Sequence, residues 1–188
     1  MPPQEPPARP ELTVVTGTAD TVTEWTGRRQ DEVPERLPDA IVLLLSGPNL
    51  NLLGQRQPEI YGRDTLADHV AKATMAAAEH GLALEHVQSD YEGALVEAVH
   101  EARGRAAAIV VNPGALTHYS WSLHDALATF EGPIVELHIS NPKRRETWRQ
   151  VSVVSPVATG VIAGFGGDGY RLAVEAVAAI LRPGRHSR

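Results

Sequence analysis

The chain contains no cysteine, which excludes disulfides and thiolate metal sites and removes any redox indication of compartment. Lysine is scarce: only Lys72 and Lys143 occur. Lys72 falls inside a helical pattern, a poor setting for an amine nucleophile that must form an imine. No apolar run approaches the roughly 20 residues of a membrane span. Positive charge is in deficit as well. The 188 residues carry a formal net charge of -6, so no basic field is available to attract nucleic acid. The first residues lack the basic and then apolar pattern of a signal peptide, and a cytoplasmic location is the expectation. Neither a Walker loop nor a G-x-S-x-G elbow is present. The histidines show no zinc spacing, since His118 and His124 are six apart and face differently on a helix. No metal and no cofactor are expected.

What remains is an apolar chain, 43% hydrophobic, long enough for one domain with a proper core. Residues 1–38 stand apart. They hold half of the 14 prolines (Pro2, Pro3, Pro6, Pro7, Pro10, Pro34 and Pro38) and one apolar cluster, Leu12 to Val15. That composition reads as a disordered or loosely attached arm, with a short element docking on a partner as the alternative. Residues 39–184 form the expected domain and 185–188 a tail.

Within the domain, apolar runs alternate with helical patterns. Strands are expected at Ile41–Leu45, Leu82–Gln88, Ala106–Val111, Ile134–Ile139 and Val157–Ala163. Helices are expected from Thr65 to His80, closed by Gly81, and from Glu92 to Arg103, closed by Gly104. Others are expected from Tyr119 to Thr129, Pro142 to Gln150 and Asp168 to Leu181. Unalternating apolar strands separated by helices argue an α/β fold with one five-stranded parallel sheet covered on both faces, a three-layer sandwich.

The polar residues that directly follow the strands are the candidate site, because open α/β sheets bind ligands beyond the carboxyl ends of their strands. Asn49, Asn51, Arg56 and Tyr61 follow the first strand, in a loop punctuated by Gly, Pro and Asn. Asn112, Thr117 and His118 follow the third. His138, Ser140, Arg145 and Arg149 follow the fourth. His118 suits general acid or base work near neutral pH; a helix-start histidine without a task is the alternative. Arg145 and Arg149, four apart on an expected helix, would share a face and clamp an anion. Tyr61 is ordinarily protonated, with a pKa of about 10. A cation such as Arg56 in the same loop would favour its phenolate, unless the ring serves only as a lid. Gly164-Phe165-Gly166-Gly167-Asp168-Gly169 matches G-x-G-x-x-G. No second strand and acidic ribose ligand follow it, so glycines for close strand-to-helix packing are the better reading.

Five motifs in order carry a resemblance. Gly47-Pro48-Asn49-Leu50-Asn51-Leu52-Leu53-Gly54-Gln55-Arg56-Gln57-Pro58-Glu59-Ile60-Tyr61-Gly62 resembles the signature of type II 3-dehydroquinate dehydratases. So do Gln88 to Gly93, Asn112 to His118, Glu136 to Pro142 and Ser155 to Gly164. The resemblance spans about residues 40–183. It implies a flavodoxin-like fold, a homododecamer built from trimers, and dehydration of 3-dehydroquinate to 3-dehydroshikimate in the shikimate pathway, by anti elimination through an enolate. It implies Tyr61 as the base at C2, Arg56 as the cation that keeps it ionised, and Asn49 as holder of an enolate-stabilising water. His118 would be the acid that protonates the departing hydroxyl, oriented by Glu136. Asn112, His138, Ile139, Ser140 and Arg149 would bind substrate, Arg145 would help close the loop, and Asp125 would reach into a neighbouring subunit's site. Gln57, Tyr91 and Lys143-Arg144 depart from the family's usual residues. A nucleotide- or flavin-binding module on the same fold is the alternative, resting on Gly164–Gly169 alone.

Overall fold

The structure, a computed structural model, describes residues 15–17, 40–55 and 62–182. Six strands form one sheet: β1 (Val15–Gly17), β2 (Ile41–Ser46), β3 (Ala83–Gln88), β4 (Ala106–Asn112), β5 (Ile134–His138) and β6 (Gly160–Ala163), in the order β1-β3-β2-β4-β5-β6. The last five are mutually parallel, as expected. Counted alone they follow the flavodoxin order 2-1-3-4-5. β1 was not expected as a strand: it lies in the segment read as an arm and pairs antiparallel with β3, Val15 opposite His86 and Gly17 opposite Leu84. Three residues are too short to carry a period. The rest of that segment, the loop 56–61 with Arg56 and Tyr61, and the tail lie outside the described residues.

The unalternating runs are explained by burial on both faces. Successive strand residues point to opposite sides, so Val42 and Leu44 join Val110, Val135 and Leu137 in one core. Leu43 and Leu45 join Ile109 and Val111 in the other. Helix α1 (Leu66–Glu79) and α4 (Asp168–Leu181) cover the first face, and α2 (Glu92–Ala102) and α3 (Trp121–Ala128) the second. Each fully buried leucine contributes about 1.5–3 kcal/mol before conformational entropy is counted. The start of α1 is set locally. Thr65 Oγ1 accepts from the Asp68 amide at 3.2 Å, and Asp68 Oδ2 accepts from the Thr65 amide at 2.8 Å, a reciprocal capping box.

The Gly164–Gly169 stretch is a packing element. The amides of Gly164 and Gly166 donate to the His138 and Ile139 carbonyls at 3.1 and 3.0 Å, so they are not available to cradle a phosphate. A Cβ on Gly167 would stand 2.3 Å from the His69 ring, and one on Gly169 2.9 Å from Leu137. Here α4 approaches the sheet and α1 more closely than any side chain allows.

One expected helix is absent. Pro142 to Gln150 forms two 3-10 turns, Pro142–Arg144 and Thr147–Gln150, interrupted by extended backbone at Arg145. Asn141 caps the first by accepting from the Lys143 amide at 2.9 Å. A 3-10 turn rarely continues beyond a few residues, so the four-residue spacing of Arg145 and Arg149 does not put them on one helix face.

Candidate active site

The strand order reverses between β2 and β4, and the crevice of a doubly wound sheet opens at that point. The two strands end in register, Ser46 beside Asn112. The Gly47 amide donates to the Asn112 carbonyl at 2.8 Å. A Cβ on Gly47 would sit 2.5 Å from the Pro113 carbonyl oxygen, so the two strand exits meet only because residue 47 has no side chain. The chain then turns at Asn49, which adopts a left-handed conformation (φ 66°) tolerated by asparagine. Asp90, at the exit of β3, anchors this turn, accepting from the Asn49 amide at 2.8 Å and the Asn51 side chain at 3.4 Å. The sequence reading attached no role to Asp90.

The resulting cleft, about 130 Å³, is lined by Asn49, Asn112, His118, His138, Ile139, Ser140, Arg145 and Arg149, with Leu50, Leu53 and Pro142 as apolar walls. Eight of the twelve residues to which the resemblance gives a role thus share one cavity. Glu136 lies beneath it. Arg56 and Tyr61 fall outside the described residues. Asp125 is exposed on α3 and is not part of the lining.

His118 closes a 3-10 turn, Gly114–His118, rather than opening α3. Its Nδ1 is 2.7 Å from the Val151 carbonyl. A carbonyl only accepts, so Nδ1 carries a proton and Nε2 is left for chemistry, as a base in the neutral ring and an acid in the doubly protonated one. The Trp148 ring packs edge-on to the imidazole, with centroids 5.2 Å apart, and the Arg149 guanidinium stacks 4.0 Å over Trp148. Trp148 is a support that sequence reasoning missed, because it lies in an aperiodic segment.

The hydrogen bonds of Glu136 go to residues other than His118, so the expected orienting role would act through them. Glu136 is completely buried and accepts from Thr117 Oγ1, Ser155 Oγ, His138 Nε2 at 2.8 Å and Ser152 Oγ at 3.1 Å. Glu136 and His138 are neighbours because residues two apart on a strand share a face. Burial alone would push the Glu136 carboxyl up, but the hydrogen bonds from His138, Ser155 and Thr117 hold it below the usual carboxylate range. Its link to His118 runs through the adjacent Thr117 and through Ser152, whose neighbour Val151 supplies the carbonyl that fixes the imidazole.

The two arginines are brought together by Glu146, whose Oε2 is 2.8 Å from Arg149 Nε and 3.6 Å from Arg145 Nε. Arg145 Nη1 also reaches Ser140 Oγ at 3.5 Å. Both guanidiniums line the cleft and are joined by the Glu146 carboxylate. Among the described residues no three His, Asp or Glu side chains converge to hold a metal ion.

Next to the site, His86 is buried and burial holds its imidazole down at about 4, from 6.5. An unfolded His86 binds a proton below about 6.5 and the folded one only below about 4. The unfolded state is therefore favoured progressively as pH falls between those values. That gap is worth about 3 kcal/mol at full protonation. Urea midpoints measured from pH 7 down to pH 4 are expected to fall across this window, and His86→Gln is expected to flatten the slope.

Comparison with known proteins agrees with this geometry. The family model for class II dehydroquinases matches residues 40–178. A 3-dehydroquinate dehydratase from Corynebacterium glutamicum is 56% identical over 137 residues, 73% of this chain and 94% of that protein. One from Cereibacter sphaeroides is 52% identical over 143 residues, 76% of this chain and 97% of that protein. The crystal structure of a type II dehydroquinase from Propionibacterium acnes superposes with a TM-score of 0.72 at 42% identity, covering 75% of this chain and 97% of that one.

Proposed function

The chain belongs to the class II dehydroquinase family, hydro-lyases of the shikimate pathway, and from that membership we propose how its own residues convert 3-dehydroquinate to 3-dehydroshikimate. Loss of water requires a base for the proton beside the ketone, a stabiliser for the enolate, and an acid for the departing hydroxyl. Tyr61, kept ionised by Arg56, removes the C2 proton, and the electron pair moves into the carbonyl to give the enolate. A water held by Asn49 donates to the enolate oxygen. As the enolate collapses, a carbon–carbon double bond forms and the carbon–oxygen bond on the far side breaks. His118 gives its Nε2 proton to the leaving hydroxyl, which departs as water. The imidazole then regains a proton from solvent, and Tyr61 returns to the phenolate by releasing the C2 proton to solvent.

The observation that supports this reading is the cleft at the strand-order reversal. There His118, with its Nδ1 proton committed to Val151, faces the same cavity as Asn49 and Asn112 and the arginine pair. Asn112, His138, Ile139, Ser140 and Arg149 bind the substrate's carboxylate and hydroxyls. Arg145 closes the wall, and the loop through Arg56 and Tyr61 acts as a lid. Glu136 holds His138 and the Thr117–Ser152 support of His118.

The same reading makes the protein a homododecamer of trimers, with Asp125 reaching a neighbour's site. Exposed Tyr119, Trp121 and Trp148, near His118, support an assembly that covers them. No described helix is long and apolar enough to cross a membrane, and a cytoplasmic enzyme is the reading we adopt.

Adding 3-dehydroquinate to purified protein is expected to raise the ultraviolet absorbance of a conjugated enone, and the rise is expected to survive borohydride. No rise would overturn the activity. A rise abolished by borohydride would instead implicate an imine, for which Lys72 or Lys143 would be needed.

A further inference from the structure

Asn112 is buried at the end of β4 and lines the cleft. Behind it lies Tyr170, in the first turn of α4 and fully buried. Asn112 Nδ2 donates to the Tyr170 hydroxyl at 3.2 Å. The buried tyrosine on α4 thus bonds a side chain that lines the substrate cleft.

The Asn112 carbonyl oxygen accepts from the Gly114 amide at 3.4 Å, which turns the amide nitrogen toward Tyr170. One N–H of Asn112 is held by the Tyr170 hydroxyl and the second is left for the cleft.

We propose that Tyr170 fixes the amide of Asn112 and is thereby a positioning residue for substrate binding. The proposal rests on the reading of Asn112 as a substrate-binding residue. Burial supports it by pushing the Tyr170 phenol up to about 12, so that the hydroxyl stays protonated. The tyrosine ring is itself held in place. His69 stacks on it with centroids 5.0 Å apart and planes 9° from parallel. Neither ring nitrogen of the buried His69 has a hydrogen-bond partner, so that ring acts as packing against Tyr170 and Gly167.

The test is a double-mutant cycle on the full-length enzyme with 3-dehydroquinate. Tyr170→Phe keeps the stacked ring and removes only the hydroxyl. It is expected to raise KM by about five- to tenfold and change kcat by less than about threefold, with the unfolding temperature nearly retained. In an Asn112→Ala background, Tyr170→Phe is expected to have no further effect on KM, because a residue acting through Asn112 has nothing left to position. A normal KM in Tyr170→Phe, or KM effects that multiply in the double variant, would overturn the positioning role. A normal KM in Asn112→Ala would overturn the placing of Asn112 in the substrate site, and the role of Tyr170 with it.

Discussion

Tyr61→Phe is expected to lower kcat by about three orders of magnitude, while KM stays within a few-fold of the parent value. General base groups contribute roughly 10²- to 10⁴-fold, and the phenol oxygen is the only basic atom this substitution removes. The ring, and whatever packing it makes as part of a lid, is retained. Tyrosine is an improbable base at neutral pH because only about a thousandth is ionised at its ordinary pKa of about 10. Arg56, five residues earlier in the same loop, is the charge that changes this balance. Arg56→Ala is therefore expected to lose most turnover at pH 7 and to recover part of it as pH is raised toward 10, where the phenol ionises unaided. Tyr61→Phe should show no such recovery. Steady-state kinetics of both variants across pH distinguish a base from a lid residue. A kcat for Tyr61→Phe within tenfold of the parent would remove Tyr61 from the base role.

Glu136→Ala is expected to be the most damaging single change in the described structure. The carboxylate is completely buried and collects hydrogen bonds from Thr117, His138, Ser152 and Ser155. Removing it leaves three hydroxyls and an imidazole without their common acceptor, around a new cavity. Breaking a buried charged network from one side costs about 3–5 kcal/mol, a large share of the stability of a domain of this size. Turnover should fall as well, since His138 loses its tether and the Thr117–Ser152 support of His118 loosens. The urea midpoint at pH 7 reads the first effect, and kcat of the remaining folded fraction the second. A loss of less than about 1 kcal/mol would show that Glu136 is not the keystone its contacts imply. The folded-state carboxyl titrates below its usual value, so its contribution is present above the ordinary carboxylate pKa. That contribution is lost as pH falls through the folded-state value.

Much of this protein was legible before any contact was known. The five parallel strands follow from apolar runs that do not alternate. The ends of α1 and α2 follow from Thr65, Gly81 and Gly104. The cleft lining follows from the rule that polar residues after strands converge. Those signals are local: each is written within a few residues, in a period or a cap.

What the sequence did not contain is which distant groups touch. Arg145 and Arg149 were expected to meet through a helix, but they meet through Glu146, because proline and a capping asparagine start a 3-10 turn that breaks at Arg145. Glu136 was expected to orient His118; its hydrogen bonds go to His138 on its own strand and to Thr117, Ser152 and Ser155 in segments that carry no strand or α-helix period. β1 is too short to announce itself and exists by pairing with β3. Tyr170 gave no functional signal, being a helix residue 58 positions from Asn112; only packing α4 against β4 brings its hydroxyl to that side chain. By itself the sequence determined the elements, their order and the family. The tertiary structure decided which hydrogen bonds hold the site, because donors and acceptors find partners through three-dimensional proximity, which spacing along the chain does not encode.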